Sequence, residues 1–259
     1  QMLVVFDRFP KFKNCCKINI LEKNNNLKKI QKQKLKNMNV RWLKSLNEIN
    51  NVPNIFVANE FFDALPIKQF IKKKNKWFEI FVRSKNNKLQ LIHVKTNLSN
   101  IQKKIDINQN FIEYSPLALK KLNTVSKIIR KNNGGLLIID YGYNSKKNFN
   151  SLQSLKNHKQ NNFLDNIYQS DITHMINFNY YKNKIKKLKL DFIKLTTQRE
   201  FLIKMGILQR AEIISKNASF LKKSDIYYRL KRLIDKNEMG SLFKVLFATK
   251  KENNFKLGF

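Results

Sequence analysis

An α/β fold built around a parallel sheet follows from three features of this sequence. Two uninterrupted apolar runs, Ile55-Phe56-Val57-Ala58 and Leu136-Leu137-Ile138-Ile139, have the length and character of buried parallel strands. Segments of helical period alternate with the strand-like runs. A β-rich stretch, 67–95, broken by polar turns, is inserted into this alternation. Such an alternation predicts a sheet with helices on both faces, in which ligands sit beyond the carboxyl ends of the strands.

The elements follow in order. Lys17 to Glu22 reads as a short strand ending in an acid, and Leu27 to Leu35 as a Lys-rich amphipathic helix. Val40-Arg41-Trp42 is a further short strand, and Asn51-Val52-Pro53-Asn54 has turn chemistry. Within 67–95, Gln69 to Ile71, Trp77 to Val82 and Leu89 to Val94 form an expected antiparallel meander. Ser115-Pro116 supplies an N-cap and a first-turn proline for a helix that runs to about Lys131 and stops at Asn132-Asn133-Gly134-Gly135. The polar stretch from Tyr143 to about Ser170 reads as a long loop. Helical patterns recur near 176–188, 199–206 and 219–235, and Leu242 to Phe247 reads as a final strand.

The chain of 259 residues is 42% hydrophobic, enough for a substantial core. With 6 Gly and 4 Pro, no flexible linker divides it, so a single domain spanning 1–259 is expected, with 67–95 as an insertion. No apolar stretch approaches the roughly 18 residues of a membrane span. The adjacent Cys15 and Cys16 have neither disulfide nor metal spacing and read as free thiols in a reducing compartment. The net charge of +34 raises the question of a nucleic-acid partner. Against it, the cations are dispersed and mostly Lys, and they accompany many Asn and Ile, a balance that AT-rich codons produce. A nucleic-acid-binding module is therefore the minority reading.

Candidate chemistry lies at the strand exits. Glu22 could accept both hydroxyls of a nucleoside ribose, or be a solvated loop residue. Asn59-Glu60-Phe61-Phe62-Asp63 places a carboxamide, two carboxylates and two aromatics within five residues. The carboxylates suit a guanidinium, and the rings can wall off a sulfonium or methyl group from water. The same segment also reads as a polar turn with two core phenylalanines. Asp140-Tyr141 could contact substrate or anchor a loop. His93 reads as structural, and His158 and His174, with Asp165 and Asp171, match no metal-binding spacing. No metal is expected, and no Gly-x-Ser-x-Gly or P-loop motif is present.

Across nearly its whole length the sequence resembles the MidA family of methyltransferases. The most specific stretch is Val57-Ala58-Asn59-Glu60-Phe61-Phe62-Asp63-Ala64-Leu65-Pro66. Ile20-Leu21-Glu22, Glu113-Tyr114-Ser115-Pro116, Ile139-Asp140-Tyr141-Gly142, Ser151-Leu152-Gln153, His158, Asp171-Ile172-Thr173, Thr197-Gln198 and Met239-Gly240-Ser241 stand in the family's order. The resemblance implies a class I, Rossmann-like methyltransferase fold with S-adenosylmethionine as methyl donor. It implies a protein substrate methylated on arginine, such as a respiratory complex I subunit, and leaves a homodimer open. Glu22 and Asn59 then serve the cofactor, Glu60, Asp63 and Asp140 the catalytic step, and Phe61, Phe62 and Tyr141 the substrate. The location expected is the cytoplasm of an AT-rich bacterium or the mitochondrial matrix. The family's first strand and Gly-rich loop have no counterpart here; their place would lie before Gln1. His174 is displaced by one position from the family's His and is given no catalytic role. A methyltransferase-like assembly protein without turnover is the alternative.

Overall fold

The computed structural model describes residues 5–98, 109–145, 149–157, 159–250 and 257–259. They form two compact units, 1–51 and 52–259, described in turn.

In the first unit a short helix, α1 (Pro10–Cys15), precedes a strand–helix–strand motif: β1 (Ile18–Leu21), α2 (Asn25–Lys34) and β2 (Val40–Leu43). The two strands pair in parallel, from Ile18 opposite Val40 to Leu21 opposite Leu43. The helix begins where Asn24 accepts the amides of Asn26 and Leu27 on its side chain, which satisfies two donors that the first turn leaves open. The expected helix at Leu27 thus starts two residues earlier.

The second unit is built on a mixed sheet. Its strands are β3 (Asn54–Asn59), β8 (Gly134–Tyr143), β12 (Ile176–Asn177), β13 (Phe192–Thr197) and β14 (Phe243–Thr249). β3 runs parallel to the first part of β8, and β12 runs parallel to its last two residues. On the other side β14 runs antiparallel to β8, and β13 antiparallel to β14. Helix α3 (Pro116–Asn132), capped by Ser115, lies between β3 and β8 in the chain and buries Leu122, Val125 and Ile129. Helix α4 (Phe178–Lys187) buries Phe178, Tyr181 and Ile185. With Leu136, Ile138, Val245 and Leu246 from the strands, these side chains form the core.

Three features depart from the sequence expectation. β3 is half-buried on one face and exposed on the other: among the described residues it pairs with β8 alone, and Ile55 and Val57 are 73% and 54% exposed. An uninterrupted apolar run therefore did not require two covered faces. The stretch after Tyr143 is not a bare loop. It contains β9 (Gln153–Lys156), β10 (Lys159–Asn161) and β11 (Asp171–Thr173), an antiparallel sheet with β9 in the middle. Its strands are polar, and side-chain amides hold it: Asn161 Nδ2 donates to the carbonyls of Asn162 and Asp165 and to Ser170 Oγ. Lastly, the pattern near 199–206 resolves into α5 (Gln198–Lys204) and a separate α6 (Ile207–Ser215), followed by α7 (Phe220–Ile234) and α8 (Met239–Leu242). Gly206, with φ +82°, ends one helix and opens the next.

The meander consists of β4 (Lys68–Lys73), β5 (Lys76–Lys85) and β6 (Lys88–Lys95). A fourth strand, β7 (Phe111–Tyr114), which the sequence pattern did not single out, pairs with the free side of β4. Phe70, Leu98 and Ile112 form this sheet's core, with Trp77 and Tyr114 packed against it.

Gly142 sets how closely β12 approaches β8. A Cβ there would lie 2.2 Å from the Ile176 carbonyl oxygen, a contact that cannot be made without moving the strand. Gly142→Ala is expected to destabilise the protein by about 2 kcal/mol or more, read as a lowered midpoint in urea unfolding.

Candidate active site

The site grows from the parallel pairing of β3 and β8. Their register sets Asn59 beside Ile139, so both strands exit at the same end of the sheet. The Glu60 amide donates to the Ile139 carbonyl at 3.0 Å, which extends the pairing by one residue. The chain then turns sharply, with Glu60 in the left-handed region at φ +46°. Such a backbone costs energy for a residue with a Cβ, so something must hold the turn in place.

Asp140 does so. Its carboxylate is fully buried, and Oδ2 accepts the amides of Phe62 at 3.1 Å and Asp63 at 3.4 Å. Oδ1 accepts the amide of Tyr141 at 3.0 Å. The segment 60–63 is thereby tied to β8, 78 residues further along the chain. Phe62 is buried edge-on against Phe61 and Tyr181, with ring centroids 5.1 and 5.4 Å away. Its ring belongs to the core, whereas Phe61 is half-buried. Asn59 and Glu60 stay exposed, with Asn59 Nδ2 3.4 Å from Glu60 Oε1.

Burial and mutual proximity govern the two buried acids. Burial pushes Asp140 up to about 8, and the nearby Asp63 adds to the rise, against the pull of the three amides. Burial likewise pushes Asp63 up to about 6, with Glu60 contributing. The two titrate as a pair, because ionising one opposes ionising the other. Asp63 Oδ1 and His174 Nε2 are buried and have no hydrogen-bond partner among the described residues. His174 is held by its own amide, which donates to the Asp63 carbonyl at 3.1 Å. Its Nδ1 lies 3.2 Å from the Met175 carbonyl, and burial lowers its pKa.

Around this centre lies a polar network with no assigned role in the sequence reading. Glu113 accepts from Gln69 Nε2 at 2.8 Å, from the Ser151 amide at 3.1 Å and from the Ser151 hydroxyl. Ser151 Oγ in turn accepts the Met175 amide at 2.9 Å. Gln153 Nε2 donates to the Tyr141 hydroxyl at 3.2 Å and to Thr173 Oγ1 at 3.3 Å. The short motifs Glu113-Tyr114-Ser115, Ser151-Leu152-Gln153 and Asp171-Ile172-Thr173 thus meet in space. The signal for them was their order along the chain, not the chemistry of any one.

The structure brings together Asn59, Glu60, Phe61, Phe62, Asp63, Asp140 and Tyr141. Glu22 belongs to the other compact unit. Its Oε1 accepts the Asn24 amide at 2.8 Å and its Oε2 accepts Gln31 Nε2 at 3.1 Å. Gln31 Oε1 takes the Trp42 indole N–H at 2.9 Å, so a helix and the second strand fix the carboxylate at the end of β1. His158 lies outside the described residues. Among the described residues no three His, Cys, Asp or Glu side chains stand together as a metal site.

Comparison with known proteins gives concordant results. A family model described as "Putative S-adenosyl-L-methionine-dependent methyltransferase" matches residues 1–196. The mitochondrial protein arginine methyltransferase NDUFAF7 homologue of Caenorhabditis elegans is 32% identical over 181 residues, covering 67% of this chain and 42% of that protein. The Xenopus tropicalis mitochondrial protein arginine methyltransferase is 25% identical, covering 94% of this chain and 63% of that one. The chain thus spans roughly half the length of the curated relatives it matches. Two Burkholderia thailandensis crystal structures share the fold at 20% identity. One, of an uncharacterised protein, has a TM-score of 0.80 and covers 93% of this chain and 68% of that one. The other, bound to S-adenosyl-homocysteine, has a TM-score of 0.78 and covers 93% and 66%.

The raised acids give a pH prediction. Between pH 4 and 8 the folded chain keeps a proton on the Asp63–Asp140 pair that the unfolded chain, near 3.8, releases. Stability from this pair is therefore full at the acid end and falls as pH rises through that window. Asp140→Asn cannot ionise and loses one amide hydrogen bond, at a cost of about 1–3 kcal/mol near pH 5. Its melting temperature is expected to lie below the parent's at pH 5 and above it by pH 8, because the parent loses about 1.4 kcal/mol per pH unit and the variant does not. Parallel curves would show that Asp140 carries no raised pKa.

Proposed function

We infer the function from one premise: this chain belongs to the family of S-adenosyl-L-methionine-dependent methyltransferases whose model covers residues 1–196. S-adenosylmethionine is the cofactor of that family. We propose that the chain is a protein-arginine N-methyltransferase, and that its substrate is a subunit of a respiratory complex. The names of the curated relatives support this reading. The observation that carries it is the turn at Glu60: a strained backbone, clamped by Asp140, presents an exposed carboxylate at the shared exit of two parallel strands.

The residues present fit the cofactor. Both Glu22 oxygens are oriented by donors of the chain itself, and each keeps a second lone pair for a ribose hydroxyl. When bound, the cofactor supplies an electrophilic methyl group on a sulfonium sulfur.

The chain's own part is to present the acceptor nitrogen. Glu60 accepts hydrogen bonds from a guanidinium, which fixes its plane and directs one nitrogen. The charge of Glu60 also offsets the positive charge that grows on the acceptor as it is alkylated. Phe61, beside the turn, excludes water from the acceptor. Asp63, buried and partly neutral, has an unpartnered oxygen able to take a proton or a further N–H. Asp140 acts through the turn that it holds and is a positioning residue.

Glu60→Gln keeps the shape of the side chain and removes its charge. In the full-length protein it is expected to slow methyl transfer to arginine peptides about 10²-fold or more. Cofactor affinity, read by calorimetry, should change little. Equal loss of turnover and cofactor binding would assign Glu60 a structural role, and transfer to lysine but not arginine peptides would refute the acceptor class.

A further inference from the structure

The corner between α6 and α7 combines two properties that methyl transfer does not use. The last turn of α6 exposes Ile213 and Ile214, at 69% and 44%, and the first turn of α7 exposes Phe220 and Leu221, at 83% and 79%. Residues 216–219 alone separate the two turns, so four large apolar side chains share one corner. The helices pack on each other, with Ser215 Oγ 3.5 Å from the Tyr227 hydroxyl, so the corner is a built feature. The inner face of α7 is already occupied by the half-buried Ile226, Leu230 and Leu233, and the corner residues do not belong to it.

Cations flank this corner. Lys216, Lys222 and Lys223 are exposed. No acid occurs between Glu212 and Asp225, and Asp225 is paired with Arg229 at 2.9 Å. An apolar corner flanked by three lysines matches the two layers of a lipid surface, where acyl chains receive the one and anionic headgroups the other. A second copy of the chain is a poor occupant, because two bodies of net charge +34 repel. A polynucleotide would satisfy the lysines and leave the aliphatic side chains in water. No helix among the described residues is long and apolar enough to cross a membrane, so the contact would be peripheral.

We propose that the α6–α7 corner docks the protein on anionic bilayers by inserting Phe220 and Leu221 between the headgroups. The test separates insertion from adsorption by bulk charge. The protein is sedimented with vesicles of phosphatidylcholine alone or mixed with phosphatidylglycerol. It is expected to bind the mixed vesicles, and the double substitution Phe220→Ser, Leu221→Ser to lower that partitioning about tenfold or more. The matched pair Phe81→Ser, Val82→Ser, exposed on the meander, should leave it unchanged. Phe220→Trp should show blue-shifted emission, quenched by brominated acyl chains, with mixed vesicles and not with polyphosphate. Undiminished binding of the corner variant, equal loss in the meander variant, absence of binding by the parent chain, or a tryptophan that reports only on polyphosphate would each overturn the proposal.

Discussion

The buried carboxylate of Asp140, accepting the amides of Phe62, Asp63 and Tyr141, is the constraint on which the rest of the site depends. A left-handed Glu60 is costly in isolation, and three hydrogen bonds from the backbone to Asp140 offset that cost. The clamp fixes the carbonyl of Asp63, which receives the His174 amide, so the segment that carries His174 inherits its position from Asp140. The Met175 amide next donates to Ser151 Oγ, and the Ser151 hydroxyl donates to Glu113. Five segments distant in the chain are thereby ordered around one acid. Burial of each acid is costly, which is why the pKa values of Asp140 and Asp63 both rise.

Much of this was legible beforehand, for identifiable reasons. The Ser115 cap, the following proline and the stop at Asn133-Gly134 placed α3 almost to the residue, because capping is local chemistry. The exits of β3 and β8 were placed by their apolar runs. The sidedness of β3 was not legible, since Ile55 and Val57 have the same composition whether a face is covered or bare. The β9–β11 sheet escaped because its short strands are mostly polar, with only Leu155 and Ile172 apolar, and side-chain amides stabilise it instead of a periodic apolar face. The role of Asp140 was left open between substrate contact and loop anchor. Which one holds depends on amides contributed from residues 62 and 63, and no spacing rule relates those to position 140.

Two kinds of surface coexist on the second unit. Around Glu60 the exposed groups are few and their neighbours are fixed by hydrogen bonds. At the α6–α7 corner they are large, apolar and flanked by lysines. The first kind recognises one functional group at a time, and the second responds to an extended phase. The chain's positive charge would draw an acidic polypeptide or surface near at long range, whereas a cationic acceptor, as proposed above, would rely on the local negative charge of Glu60.

The place of β14 bears on how the molecule is made. Residues 243–249 form the strand between β8 and β13, so the sheet of the second unit stays divided until nearly the last residue of this stretch has been synthesised. β8 and β13 then each wait with one edge unpaired while four helices, α5 to α8, are completed between β13 and β14. A ribosome-bound chain halted anywhere before Phe243 holds a split core, which makes it a natural client for chaperones that shield strand edges.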